Sequence, residues 1–458
     1  MTESPRSPAA DAFWRRAAVL GDDRPGFLLD SGLGAGGLGR RSWFGTDPSA
    51  LITGRRRRGD RAPEMDFELT TWREPGGGER RAPTVRRFAG DPFAVLRELS
   101  ARYFPRGGAA GRLEAGLVGY FGYETAHVVE RLPDTGADDL GLPDLAFLVC
   151  EDIATCDHGE PGAPAAVAPP APAAGEPGPD VRAHFDRAAY MAAVETCRGH
   201  IRRGDVFEVC LTHRLEMDLP GSPWELYAAL REINPAPFAS FLQFPGFAVV
   251  GASPERFLRL DADRTVESRP IKGTRPRGAT PAADAAIAAG LAASEKDLAE
   301  NVMIVDLVRN DLGRVCEIGS VHVPELQVVE TYATVHQLVS TVRGRLKPQH
   351  DAFDLVRACF PGGSMTGAPK IEAMKIIDRL EPVVRGVYSG AVGFIDAGGA
   401  MDLGMVIRTL VCRDGRATFG VGGAVVADSD PGAEYDETLD KARALIAAVR
   451  GLAARRAP

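Results

Sequence analysis

The chain has 458 residues and a formal net charge of −8; 45% of its residues are hydrophobic and 25% charged. That is ordinary for a globular protein with one large or two moderate cores. The acidic balance argues against nucleic acid as a partner, and no apolar run approaches the ~18 residues of a membrane span.

The N-terminus lacks the basic start, apolar stretch and small-residue cleavage site of a signal peptide. Seven cysteines are scattered singly, without a CxxC pair. Reduced thiols in a cytoplasmic protein are therefore expected, not a zinc site or a disulfide framework. The one basic run, "GRRRRG" (54–59), reads as a solvated loop.

Residues 157–182 are dominated by Pro, Ala, Gly and acids. Such a stretch buries too little surface to order itself, so it reads as a linker or exposed loop. It separates an N-terminal region, 1–156, from a more regular region, 183–458.

In the second region "FASFLQF" (238–244) and "FAVVGASP" (247–254) read as strands. A helix is predicted over "SEKDLAENVMIVDLVRNDLG" (294–313), capped by Ser294 and ended by Gly313. "FPGGSMTGAPK" (360–370) is a glycine-rich turn leading into a helix at "KIEAMKIIDRL". Three more strands follow in "VYSGAVGFID", "MDLGMVIRTLVC" and "ATFGVGGAVVAD". A last helix opens at Asp430, with Pro431 in its first position. Consecutive strands with short turns predict antiparallel sheet, hence an α/β protein of the α+β type.

Several residues invite chemistry. Asp297 and Glu300, and likewise Glu434 and Glu437, lie three apart, each pair on one helix face. Each pair alone is a solvated face; together they suit a hard cation such as Mg²⁺. Lys441 stands four residues past Glu437, so a simple ion pair is the other reading of that acid. Gly422 and Gly423 after a strand let backbone N–H groups approach an anion, or merely make a turn. Arg408 near a strand end suits a carboxylate, or a surface ion pair. There is no phosphate loop and no nucleophile elbow.

The segments "GASPERFLRL", "ESRPIKGTRPRG", "SEKDLAENVMIVDLVRNDLGRV", "FPGGSMTGAPK", "RGVYSGAVGF" and "GGAVVADSDPGAEYDETLDKARAL" stand in one order between about 250 and 445. Together they resemble the chorismate-utilising enzymes, which include anthranilate, aminodeoxychorismate, isochorismate and salicylate synthases. "FLLDSG" (27–32) and "GLVGYFGYE" (116–124) resemble the amino-transferring branches. Whether "FLLDSG" and "NPAPFASF" (234–241) frame a tryptophan pocket stays open.

The resemblance implies a large unit of two packed antiparallel β-sheets with helices outside. It also implies chorismate as substrate and Mg²⁺ as cofactor. Residue by residue, it assigns Glu300, Glu434 and Glu437 to the metal, with Asp297 as a further acid. Gly422, Gly423 and Ala424 would meet a substrate carboxylate; Arg408 and Tyr388 would hold the enolpyruvyl carboxylate. Gly273, Thr274, Thr366 and Lys441 complete the expected substrate-binding set. Glu255 would protonate the leaving C4 hydroxyl.

Lys272 in "PIKGT" resembles the aminodeoxychorismate branch; anthranilate synthases resemble "PIAGT". The lysine would attack C2, and ammonia would then add at C4. Arg269, Arg275 and Arg277 are expected to push its amine towards the neutral form. The other reading of Lys272 is an electrostatic partner for the substrate. Glu208 stands where water-using relatives carry a lysine base. In "TVHQLVS" Gln337 takes the usual histidine's place, and His336 reads as structural. No glutaminase segment with a cysteine nucleophile is visible, so ammonia is expected from a separate glutamine amidotransferase subunit. Anthranilate synthase component I and a catalytically idle binding subunit are the alternatives.

Overall fold

The computed structural model describes residues 8–456 apart from 23, 32–39, 60–63, 77, 109–110, 159–177, 179 and 333. Most of the segment read as a linker thus lies outside the described residues.

The described residues form two large antiparallel sheets, one of ten strands and one of twelve. In the first, Glu208–Asp218 and Arg416–Val425 lie side by side near one edge, with Thr409–Arg413 and Phe247–Ser253 next. In the second, Ile271–Pro276 is an edge strand paired with Val335–Arg345. Met401–Met405 and Ala391–Asp396 lie further in. The regions on either side of the linker share both sheets. Gly26–Asp30 pairs with Phe238–Phe244, and Gly116–Phe121 pairs with Ala391–Asp396.

Apolar side chains glue the sheets face to face. Phe27, Leu242 and Val249 of the first meet Val118, Tyr120 and Val392 of the second. Helices cover the outer faces. Pro223–Ile233 and Pro431–Arg456 lay Leu226, Leu230, Leu445 and Val449 against Phe241 and Val250. Glu295–Val315 packs Ile304, Val308 and Leu312 into the cluster holding Leu258, Val342 and Leu403. All seven cysteines are free and buried, and among the described residues no helix is long and apolar enough to cross a membrane.

Local signals hold with two adjustments. Ser294 caps its helix by accepting from the Asp297 N–H, and Asp430 accepts from Ala433. Gly313 does not end the first of these helices, which continues to Val315; side-chain packing of Leu312 and Val315 carries it past the glycine. Nor is "MDLGMVIRTLVC" one strand. It breaks between Met405 and Thr409, where the chain leaves one sheet for the other.

Candidate active site

The chain passes between the sheets at two neighbouring places. Phe247–Ser253 of the first sheet is followed at once by Arg256–Leu260 of the second. Met401–Met405 of the second is followed by Thr409–Arg413 of the first. The crossovers are tied together: the Met405 N–H donates to the Glu255 carbonyl at 2.9 Å, and Ala252 donates to the Arg408 carbonyl at 3.0 Å. Glu255 and Arg408 therefore sit side by side at the seam.

Glu255 is buried, and burial pushes its carboxyl up to about 7. A carboxyl so placed still carries its proton in part at neutral pH and can give it away. Arg408 adopts a left-handed backbone, φ +51°, which costs a non-glycine residue roughly 1–2 kcal/mol. Its guanidinium makes no ion pair among the described residues, and burial lowers its pKa. A half-buried, unpaired arginine is suited to a carboxylate from outside the protein.

Lys272 overturns the expected electrostatics. Its neighbouring arginines are each spent on an acid: Arg269 on Glu330, Arg275 on Asp297 at 2.6 Å and Arg277 on Asp284 at 2.8 Å. The lysine itself reaches across from the second sheet to Glu208 in the first, Nζ to Oε1 2.6 Å. Burial alone would pull the amine down, but Glu208, and after it Glu300, hold it above the ordinary lysine value. The amine is thus cationic at rest, not neutral. Along Glu208–Asp218, Val209 and Leu211 pack outward beside Tyr190 and Ile377. Period-two alternation then turns Glu208, Cys210 and Thr212 to the opposite face of the strand.

The acids approach from two helices. Glu300 lies on Glu295–Val315 and Glu434 and Glu437 on Pro431–Arg456. Among the described residues no three His, Cys, Asp or Glu side chains converge closely enough to hold a metal by themselves. Lys296 stands between two of them, 3.8 Å from Glu300 and 3.9 Å from Glu434. Asp297 is turned to Arg275, and Glu437 to Lys441 at 2.6 Å. Burial drives Glu300 up to about 7 and raises Glu434, whereas Lys441 outweighs burial at Glu437 and lowers it. Glu300 Oε1 and Glu434 Oε2 are buried without a hydrogen-bond partner. Two carboxylate oxygens without a hydrogen bond, one of them facing Lys296 at 3.8 Å, fit a hard cation completed by substrate oxygens.

Gly422, Gly423 and Ala424 lie within Arg416–Val425, not after it. Past Thr418 that strand has lost its Thr409–Arg413 neighbour, so one of its edges has no strand beside it. A Cβ at Gly423 would come 2.8 Å from Glu434 Oε2, so the missing side chain leaves room for that carboxylate against the strand. Lys441 Nζ donates to the Gly422 carbonyl at 2.8 Å. Tyr388 is buried with its ring pressed on Gly420.

Three further expected site residues differ in their surroundings. Gly273 has φ +84°, and a Cβ there would strike the side chains of Asp297 and Leu291, both at 2.9 Å. Packing against the helices already explains this glycine. Thr366 is fully buried and spends its hydroxyl on the Gly362 and Gly363 carbonyls. Thr274 is exposed, 3.5 Å from Gln337 Nε2. His336 is structural, as read: Asp284 at 2.8 Å and Thr331 at 2.9 Å hold its two ring nitrogens.

Sequence reasoning missed the buried hub behind Tyr388. Arg385 donates to both Glu381 oxygens and to the Met365 and Cys210 carbonyls. Its guanidinium lies over the Tyr123 ring, 4.5 Å from the centroid. Glu124 accepts from the backbone N–H groups of Arg385 and Gly386. Both Tyr123 and Glu124 come from "GLVGYFGYE", and Arg385 opens "RGVYSGAVGF"; only their meeting in space was invisible. Lys296 was signalled by its i, i+4 spacing to Glu300. A separate cavity of about 440 Å³, lined by Leu29, Ser31, Pro237 and Phe238 among others, includes none of the expected site residues.

Comparison with known proteins places this geometry. Residues 77–447 match the family described as chorismate binding enzyme. An aminodeoxychorismate synthase of Streptomyces pristinaespiralis is 46% identical over 97% of this chain and 64% of its own length. One from Streptomyces griseus is 57% identical over 58% of this chain and 37% of its own length. The chain thus spans less than two thirds of these two relatives. An anthranilate synthase component 1 of Streptomyces coelicolor is 39% identical over 95% of this chain and 85% of its own. The crystal structure of anthranilate synthase component I from Streptococcus pneumoniae TIGR4 superposes with a TM-score of 0.73 at 29% identity, covering 89% of this chain and 92% of that one.

Proposed function

The chain belongs to the chorismate-binding enzymes, and we propose that it acts as an aminodeoxychorismate synthase component I, turning chorismate and ammonia into 4-amino-4-deoxychorismate. The observation that carries this reading is the amine of Lys272, buried and reaching from one sheet to Glu208 in the other. Anthranilate synthase is the second reading, favoured by 39% identity over nearly the whole chain. An amine in this position is the feature that separates them, because it offers a nucleophile for C2 that an alanine lacks.

Arg408, unpaired at the seam, takes the enolpyruvyl carboxylate, with Tyr388 beside it. The open edge at Gly422–Ala424 and the exposed Thr274 face the other end of the substrate. Glu300, Glu434 and Glu437 would hold Mg²⁺ only together with substrate oxygens, and the ion would supply charge neutralisation for the ring carboxylate. Lys272 Nζ bonds to C2 while the C4–O bond breaks, and Glu255 gives its proton so that the hydroxyl leaves as water. Ammonia then bonds to C4 and the C2–N bond breaks, expelling the lysine. The new C4 ammonium returns a proton to Glu255. A glutamine amidotransferase supplies the ammonia, and the protein works in the cytoplasm.

Incubation of the protein with chorismate, Mg²⁺ and ammonium, followed by product identification, tests the reading. The expected product carries nitrogen at C4, and excess chelator stops its formation. Anthranilate as the product would establish the second reading instead.

A further inference from the structure

We propose that Glu208 is the proton acceptor and positioning residue for Lys272, its Oε1 taking the amine's proton before attack on the substrate and returning it when the lysine leaves. The inference rests on the aminodeoxychorismate reading above.

A nucleophilic amine must be neutral, yet this one is held as a cation at rest, so the proton has to go somewhere. Glu208 Oε1 at 2.6 Å is the one hydrogen-bond partner of Lys272 Nζ among the described residues. The other charged groups facing the amine are Glu300 from its helix, Glu437 from the last helix and Glu255 from the crossover. None of these makes an ion pair with it within 4.0 Å. Lys272 is 8% exposed and Glu208 0%, so bulk water is a poor acceptor. The two residues belong to opposite sheets, and packing of the sheets fixes their separation. Among the described residues Glu208 Oε2 is buried with no hydrogen-bond partner, so the amine is the carboxylate's one side-chain hydrogen-bond contact.

The transfer balances. Lys–NH₃⁺ and Glu–COO⁻ become Lys–NH₂ and Glu–COOH, with no change in net charge. A neutral pair also escapes the cost of keeping two ions out of water. The amine then forms the N–C2 bond as Glu255 protonates the departing hydroxyl. When ammonia adds at C4, the C2–N bond breaks and the amine leaves neutral; Glu208 gives the proton back. No oxidant, reductant or further reactant is needed.

The test is intact-protein mass after rapid quenching with chorismate and Mg²⁺ but no ammonia, on the wild type and on Glu208→Gln. The wild type should gain a dehydrated-substrate adduct. In Glu208→Gln its formation should slow by about 100-fold or more, while the KM for chorismate stays within about threefold of the wild type, as expected when a proton-transfer group rather than a binding group is lost. A Glu208 that merely anchored the cation would behave oppositely. Removing its charge would free the neutral amine, and the adduct would form at the wild-type rate or faster, which overturns the proposal. Glu208→Asp and Glu208→Asn repeat the comparison at one shorter length, should the glutamine variant fail to fold; equal adduct rates in this pair also overturn it. A wild type that makes the C4-aminated product with no adduct refutes Glu208 as acceptor but leaves the function standing. A wild type that makes no such product removes the functional reading itself.

Discussion

Two buried polar clusters meet at Tyr388, and they are finished to different degrees. Behind it, Arg385 has every nitrogen bonded and both oxygens of Glu381 and of Glu124 are taken, so its charges are all met, while the buried Tyr123 hydroxyl has no hydrogen-bond partner among the described residues. In front of it, among the described residues, Arg408 has no ion pair, and Glu208 Oε2, Glu300 Oε1, Glu434 Oε2 and Gln337 Oε1 are buried without hydrogen-bond partners. An unmet buried polar atom costs about 1–3 kcal/mol. A fold that pairs every charge of one cluster and leaves charges of its neighbour open is spending stability on a site for a charged ligand. The finished cluster holds strands and turns in place; the unfinished one is shaped for a charged ligand.

The difference should be largest in stability. Arg385→Met strands Glu381 and two carbonyls inside the protein. Denaturant unfolding should show a loss of about 3–5 kcal/mol, the cost of breaking a buried ion pair on one side. A loss below about 1 kcal/mol would mean that the hub is not structural.

Arg408→Ala should do the reverse. No partner is left behind, so stability should stay within about 0.5 kcal/mol. Steady-state kinetics should show kcat/KM for chorismate falling by about 10–100-fold, the loss of a charge-assisted contact worth about 1.5–3 kcal/mol.

The smallest effect concerns pH. Burial pushes Glu124 up to about 8 from an ordinary value near 4.5. Between those values the folded chain keeps a proton that the unfolded chain has released. Stability from this group therefore falls as pH rises from about 4.5 to about 8. Glu124→Gln should flatten that slope by on the order of 1–2 kcal/mol in unfolding curves at pH 5 and pH 8. An unchanged slope would place the proton elsewhere.

Much of this was legible in the sequence. Alternation and turn residues gave the strands at 238–253, and caps gave the helices opening at Ser294 and Asp430. Lys272, Glu255 and Arg408 could be named because each lies in a distinctive motif. What the sequence could not give was the partner of each charge. Three arginines around Lys272 suggest a neutral amine only if they face it, and each faces an acid instead. Glu208 lies 64 residues from Lys272 and in the other sheet; no local pattern spans that distance. The same holds for Glu124 and Arg385, 261 residues apart.

The account turns on the Lys272 amine, and product analysis of Lys272→Ala with chorismate, Mg²⁺ and ammonium tests it most directly. C4-aminated product should fall by at least ~100-fold, as removal of a nucleophile requires, and any residual amination should shift to C2. Wild-type yields of 4-amino-4-deoxychorismate from that variant would contradict the account and leave Lys272 as no more than a charge in the wall of the cleft.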